Sequence, residues 1–126
     1  MIENNQRPYV GVAHVVLQTD RMSESQKFVT ALGMRPIFEG PEISVYELRG
    51  GTHLILQRQE TNLTREVGFD LMVDDIREAH NRFKNLGLNP STIEKRIQID
   101  HEVFYLIDPA DHKITVFSSH VSGKPI

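Results

Sequence analysis

Leu32-Gly33-Met34-Arg35-Pro36 returns 54 positions later as Leu86-Gly87-Leu88-Asn89-Pro90. In each copy a glycine follows an apolar residue, and a proline stands three places further on. Glycine adopts the left-handed backbone that ends a helix, and proline cannot continue one. Two helices are therefore predicted to stop at Gly33 and Gly87. The same shift of 54 lays Leu17 on Leu71, Thr19 on Val73, Asp20 on Asp74, Met22 on Ile76 and Val29 on Phe83. The chain reads as one unit written twice.

Outward from these helix ends, each half reads as strand, helix and three strands. Val12 to Gln18 is apolar and β-branched, the pattern of a strand. Ser23-Glu24-Ser25-Gln26 fits a capping box, with Ser23 as N-cap and Gln26 reaching back. Phe28, Val29 and Leu32 then recur at helical spacing. Short strands are predicted at Pro36–Phe38, Ser44–Leu48 and Leu54–Gln57, broken by Gly40-Pro41 and Gly50-Gly51. In the second half Val67 to Val73 is a strand. Asp75-Ile76-Arg77-Glu78 is a second capping box, and Ala79, Phe83 and Leu86 form the buried stripe of its helix. Strands follow near Thr92–Gln98, Val103–Ile107 and Lys113–Ser118, with an Asp108-Pro109-Ala110-Asp111 turn before the last.

The chain has 126 residues, against roughly 150 for a typical domain, so one domain is predicted over 1–120, with modules at about 10–60 and 66–118 and a flexible tail at 121–126. Charged residues make up 25%, and the net charge is −3. No polybasic surface for nucleic acid is expected from that balance. Cysteine is absent, which removes disulfides, thiolate nucleophiles and cysteine-ligated zinc. No apolar run approaches the roughly 18 residues of a membrane span, and Met1 to Tyr9 is polar, so a cytoplasmic protein with no membrane partner is the expectation.

His14-x-x-Leu17, followed by Ser25, Phe28 and Leu32-Gly33, resembles the opening of the vicinal oxygen chelate superfamily. That superfamily includes glyoxalase I, bleomycin-resistance proteins, fosfomycin-resistance enzymes and extradiol dioxygenases. Phe69-x-Leu71-x-Val73-Asp74-Asp75 resembles its fifth strand. Phe104-Tyr105-Leu106-x-Asp108-Pro109, with Ile114-x-Val116, resembles its last hairpin. The resemblance spans about residues 10–118. It implies an α+β fold of two tandem βαβββ modules that curl into a half-barrel cup. It also implies a homodimer and, in many relatives, one divalent metal held from the first, fourth, fifth and eighth strands.

Period-two alternation gives the matching positions here. They are His14 on the first strand, Ile55 on the fourth, Gly68 on the fifth and Thr115 on the eighth. Glycine and isoleucine offer no ligand atom, and a neutral hydroxyl is a weak one. His14 is the only matching ligand position, so no metal cofactor is expected. A site rebuilt from His14, His53 and His101 is the alternative, with a divalent metal as its cofactor.

Other residues carry candidate chemistry. His14 carries an imidazole, the side chain suited to proton transfer. Asp70 interrupts an apolar strand on the cup face, where a buried charge needs a partner; it and His14 are the candidate catalytic groups. Glu47 and Tyr105 take matching positions before the two hairpin turns. His53, Gln57, Met72 and Thr115 complete the expected lining, with Val16, Ile55 and Phe117 as apolar wall. His80 reads as a surface residue and His112 as a turn residue. Lys95-Arg96 and Arg58 read as isolated solvated charges.

The expected function is a small-molecule-binding cup of unassigned substrate. The acidic balance favours neutral or cationic ligands. The alternative is a metal-dependent lyase, isomerase or dioxygenase of the glyoxalase type. A partner module with a vestigial cup is a third reading. Fold alone does not choose among these.

Overall fold

The computed structural model describes residues 12–61, 67–96 and 101–119. The expected tail, Met1 to Tyr9 and Gln98 lie outside them. The elements run β1 (His14–Thr19), α1 (Met22–Ala31), β2 (Arg35–Glu39), β3 (Ile43–Glu47), β4 (His53–Arg58), β5 (Leu71–Met72), α2 (Ile76–Asn85), β6 (Glu94–Arg96), β7 (His101–Ile107) and β8 (Lys113–Ser119). They form two four-stranded sheets, ordered β1-β4-β3-β2 and β5-β8-β7-β6. In each, the first strand runs parallel to the fourth and the other pairs are antiparallel. This is the expected α+β architecture of two βαβββ modules in a half-barrel.

The glycines end the helices as their chemistry requires. Gly33 has φ +106° and Gly87 φ +79°. The backbone N–H of Gly33 donates to Thr30 O at 3.0 Å, and that of Gly87 to Lys84 O at 3.0 Å. At the other end of α2, Asp75 is the N-cap, and its carboxylate accepts from the N–H groups of Arg77 and Glu78. The start of α1 differs from expectation. Helix α1 begins at Met22, and Arg21 holds the cap position without a side-chain cap bond. Thr19 Oγ1 instead accepts from Arg21 N at 2.9 Å. Ser25 turns inward to Thr19 at 2.7 Å, and Gln26 donates to Ser44 Oγ at 3.0 Å. The box residues therefore tie the helix to the sheet rather than cap it.

Each helix seals one face of one sheet. Leu17, Tyr46, Leu54 and Leu56 meet Phe28 and Val29 of α1, while Phe104, Leu106, Ile114 and Val116 meet Ile76, Ala79 and Phe83 of α2. These form one continuous core across both modules. Leu86, expected in the α2 stripe, is instead 50% exposed; it falls past the last turn of the helix. The modules also meet at the exposed Arg49–Asp74 ion pair, 2.7 Å long. Exposed pairs contribute little to stability, so the shared apolar core does most to join the halves.

Two polar devices fix the second module. At the β7–β8 turn, the buried Asp108 accepts through Oδ1 from Ala110 N (3.1 Å) and His112 N (2.7 Å). The His112 ring, 1% exposed, places Nδ1 2.9 Å from Asp108 Oδ2. The turn reading of His112 thus holds, with a buried partner. On α2, Arg77 grips Glu102 with two hydrogen bonds of 2.9 and 3.0 Å. Those bonds hold the Glu102 carboxyl below its ordinary range, against burial, which pushes it up.

Asp108→Ala removes an acceptor for two buried N–H groups and strands the His112 ring. It is predicted to lower unfolding free energy by about 2–4 kcal/mol, with Asp108→Asn milder because one oxygen remains. Urea denaturation measures both. The Arg77–Glu102 pair makes a second prediction. A carboxyl whose folded pKa is lowered stabilises the fold above its ordinary titration range, and that contribution is lost as pH falls through the folded value. Wild type is therefore predicted to exceed Glu102→Gln in stability at neutral pH, and the gap is predicted to close on acidification. A gap independent of pH would remove the ion pair as its cause.

Candidate functional site

The face of each sheet turned away from its helix is set by strand alternation. Tyr46, Leu54 and Leu17 are buried against α1, so Val45, Glu47, His53, Ile55, Gln57, His14, Val16 and Gln18 point the other way. Register then arranges them in rungs. His14 lies opposite His53, and His53 opposite Glu47. Val16 lies opposite Ile55, and Ile55 opposite Val45. Gln18 lies opposite Gln57, and Gln57 opposite Ile43. The first face thus carries a polar rung of two histidines and a carboxylate, an apolar rung, and a mixed rung.

Its apolar groups are partly exposed, with Val45 and Ile55 half-buried. Val16 is 51% exposed and Phe38, the register partner of Val45 on β2, is 55% exposed. In the polar rung, the His14 and His53 rings stand 5.9 Å apart between centroids, tilted by 34°. Glu47 forms an ion pair with Arg35 across β3 and β2. Its negative charge is therefore matched within the sheet.

The second face holds Met72, Phe117, Thr115, Tyr105 and His101, with Val103 buried between His101 and Tyr105, opposite Phe117. Met72 lies opposite Phe117, and Thr115 opposite Tyr105. The His101 ring rests on Phe117 at 4.6 Å, and its buried Nε2 has no hydrogen-bond partner among the described residues. The expected match of Glu47 with Tyr105 is off by one rung. Glu47 faces the first residue of β4, His53, as Ile107 faces the first residue of β8, Lys113. The counterpart of Tyr105 is Val45, because both sit one rung further from the turn.

Asp70 departs from its expected place. The strand read over Val67 to Val73 contracts to Leu71–Met72, and Asp70 precedes it as an exposed residue. It faces water and needs no buried partner. His80 departs as well. It is half-buried, with Nε2 2.8 Å from Ser91 O and its ring edge-on to Phe104 at 5.2 Å. Arg58 pairs with Glu60, and Arg96 donates to the Tyr105 hydroxyl, so neither is an isolated charge. Sequence reading missed Arg96 because its register partner on β7 is His101, and only the reach of two long side chains along the sheet joins it to Tyr105.

The metal positions implied by the resemblance do not assemble a donor set. His14 offers an imidazole and Ile55 offers none. Gly68 is exposed, and a Cβ there would meet nothing within 4 Å, so space does not explain its missing side chain. Thr115 is half-buried with only a hydroxyl. His14, His53 and His101 do not converge either: among the described residues no three His, Asp or Glu side chains gather as a metal site. His101 sits in the other sheet, against Phe117. Among the described residues no helix is long and apolar enough to cross a membrane.

No protein-family model and no curated protein sequence matches the chain. Solved structures do. Lactoylglutathione lyase from Agrobacterium tumefaciens superposes with a TM-score of 0.75 at 17% identity, covering 94% of this chain and 100% of that one. A glyoxalase/bleomycin resistance protein/dioxygenase from Alicyclobacillus acidocaldarius gives 0.71 at 21% identity, covering 90% and 95%. A bleomycin resistance determinant encoded on the transposon Tn5 gives 0.71 at 16% identity, covering 87% and 98%. The repeated module, the parallel first and fourth strands and these superpositions together give the chain the glyoxalase/bleomycin-resistance fold.

Proposed function

We propose that this protein binds a small organic molecule on the open faces of its cup, without the metal that many relatives carry. The observation that carries the reading is the apolar rung Val16–Ile55–Val45, with Val16 exposed and Ile55 and Val45 half-buried, on a sheet whose other side is sealed by α1. Water against such a surface is unfavourable by roughly 25 cal/mol per Å², and bare apolar patches mark binding sites. The His14–His53 rung beside it supplies donors and acceptors that orient a ligand. The donor set at His14, Ile55, Gly68 and Thr115 is too poor for the shared metal site. On this reading the protein is a homodimer, because each sheet ends in open strand edges, and it works in the cytoplasm.

A glyoxalase-type metal-dependent reaction has one observation in its favour, the adjacency of His14 and His53 at 5.9 Å. Two imidazoles on neighbouring strands are half of a tetrahedral site. The binding reading explains more, since it also accounts for the isoleucine between those histidines and Gln57.

Isotope-labelled protein, stripped with a chelator, is titrated with the uncharged probes benzyl alcohol and indole while amide shifts are followed. Saturable shifts centred on Val16, Val45 and Ile55 are expected, and adding nickel, zinc, cobalt, manganese or iron leaves them unchanged. Val16→Asp is predicted to weaken probe binding by roughly tenfold while costing no more than about 1 kcal/mol of stability at this exposed strand site. Shifts that arise only after a divalent ion is added would overturn the reading in favour of the metal-dependent one.

A further inference from the structure

The open face of the second sheet carries a different chemistry from the first. Phe104 packs on Phe83 of α2, so Tyr105, Thr115 and Phe117 face the other way, with Tyr105 and Thr115 as register partners. Two cations hold the Tyr105 ring. Arg96 donates from Nη2 to the phenol oxygen. The Lys113 ammonium stands 4.0 Å over the ring centroid. Neither cation forms an ion pair with a carboxylate among the described residues. Glu94 shares this face opposite Val103, and Arg96 lies opposite His101 and reaches along β7 to Tyr105; among the described residues Glu94 makes no ion pair with Arg96.

Two cations drawn to one ring repel each other, and the ring's quadrupole offsets this only in part. The groups that remain free there are donors. Arginine has five N–H groups and spends one on the phenol; lysine has three and no acceptor. A phenol that accepts from arginine keeps its own O–H to donate, and Thr115, the register partner of Tyr105, adds a hydroxyl to the same rung. Donors and positive charge converging on one spot fit an anion, and the arginine fork fits a carboxylate or phosphate best. On the next rung, the half-buried Phe117 gives apolar surface.

We propose that Arg96, Lys113, Tyr105 and Thr115 form an anion subsite, and that the ligand of this protein is an organic acid whose carboxylate or phosphate is held there while its apolar part lies over Phe117. The inference rests on the reading that the open faces bind a small molecule, and it narrows that molecule to an anion. The net charge of −3 points the other way, but a site answers to its local charge.

The test uses four probes with one ring: phenylacetate, phenylacetamide, phenethylamine and phenyl phosphate. Amide shifts of the isotope-labelled full-length protein report where each binds. Phenylacetate is expected to shift Tyr105, Thr115 and Phe117 and to bind roughly tenfold tighter than phenylacetamide. Arg96→Gln and Lys113→Gln, both exposed, are each expected to cost phenylacetate a similar factor and to leave phenylacetamide unchanged. Tighter binding of phenyl phosphate at the same residues supports the subsite with phosphate as the natural group. Equal binding of the amide, preference for the amine, or indifference to both substitutions overturns the proposal. If no anion shifts the second face while benzyl alcohol still shifts Val16 and Ile55, only the anion subsite falls. If nothing binds either face, the binding reading falls with it.

Discussion

Each sheet of this protein has one helix to cover it, and a single helix covers a single face. Alternation along the strands then commits every second side chain to the core and every other one to the open side. Tyr46, Leu54 and Leu56 are fully or almost fully buried, while their neighbours Val45, Ile55 and Gln57 are not. A slip of one residue in any strand would exchange these sets. Register is therefore what holds the candidate site in place, and the buried ties of α1 to β1 and β3 through Thr19–Ser25 and Gln26–Ser44 help to hold the register.

The two open faces are built on one plan and furnished differently. Where the first sheet has the Val45–Ile55 rung, the second has Tyr105–Thr115; where the first has His53 beside Glu47, the second has Lys113 beside Ile107. The scaffold repeats, and the outward residues of each half are free of the core packing that the inward ones obey. Space is not what keeps Gly68 bare, since a Cβ there would meet nothing within 4 Å. A common fold with solved glyoxalase and resistance proteins therefore says little about chemistry here.

Much of the fold was legible because helix ends and strand alternation leave marks in the sequence. Gly33 and Gly87 were read from their spacing to Pro36 and Pro90, and both have the positive φ that reading requires. Ser23 was misread because a capping box is a local pattern, and the competing partners of Ser25 and Gln26, Thr19 and Ser44, come from tertiary structure. Asp70 was misread because a strand was extended through a segment whose pairing begins only at Leu71. The site was less legible still. His14, Ile55, Met72 and Thr115 follow from alternation within a strand, but Arg96 and Lys113 meet at Tyr105 by the reach of their side chains from neighbouring strands, which a single sequence does not print.

The central claim is that this cup works through its side chains without a resident metal. Elemental analysis tests it most directly. The protein, purified without a histidine tag, is equilibrated in turn with nickel, zinc, manganese, iron and cobalt, dialysed, and measured. The account predicts well under one equivalent of any ion per chain. One equivalent that survives dialysis and is lost on substitution of His14 or His53 would contradict it.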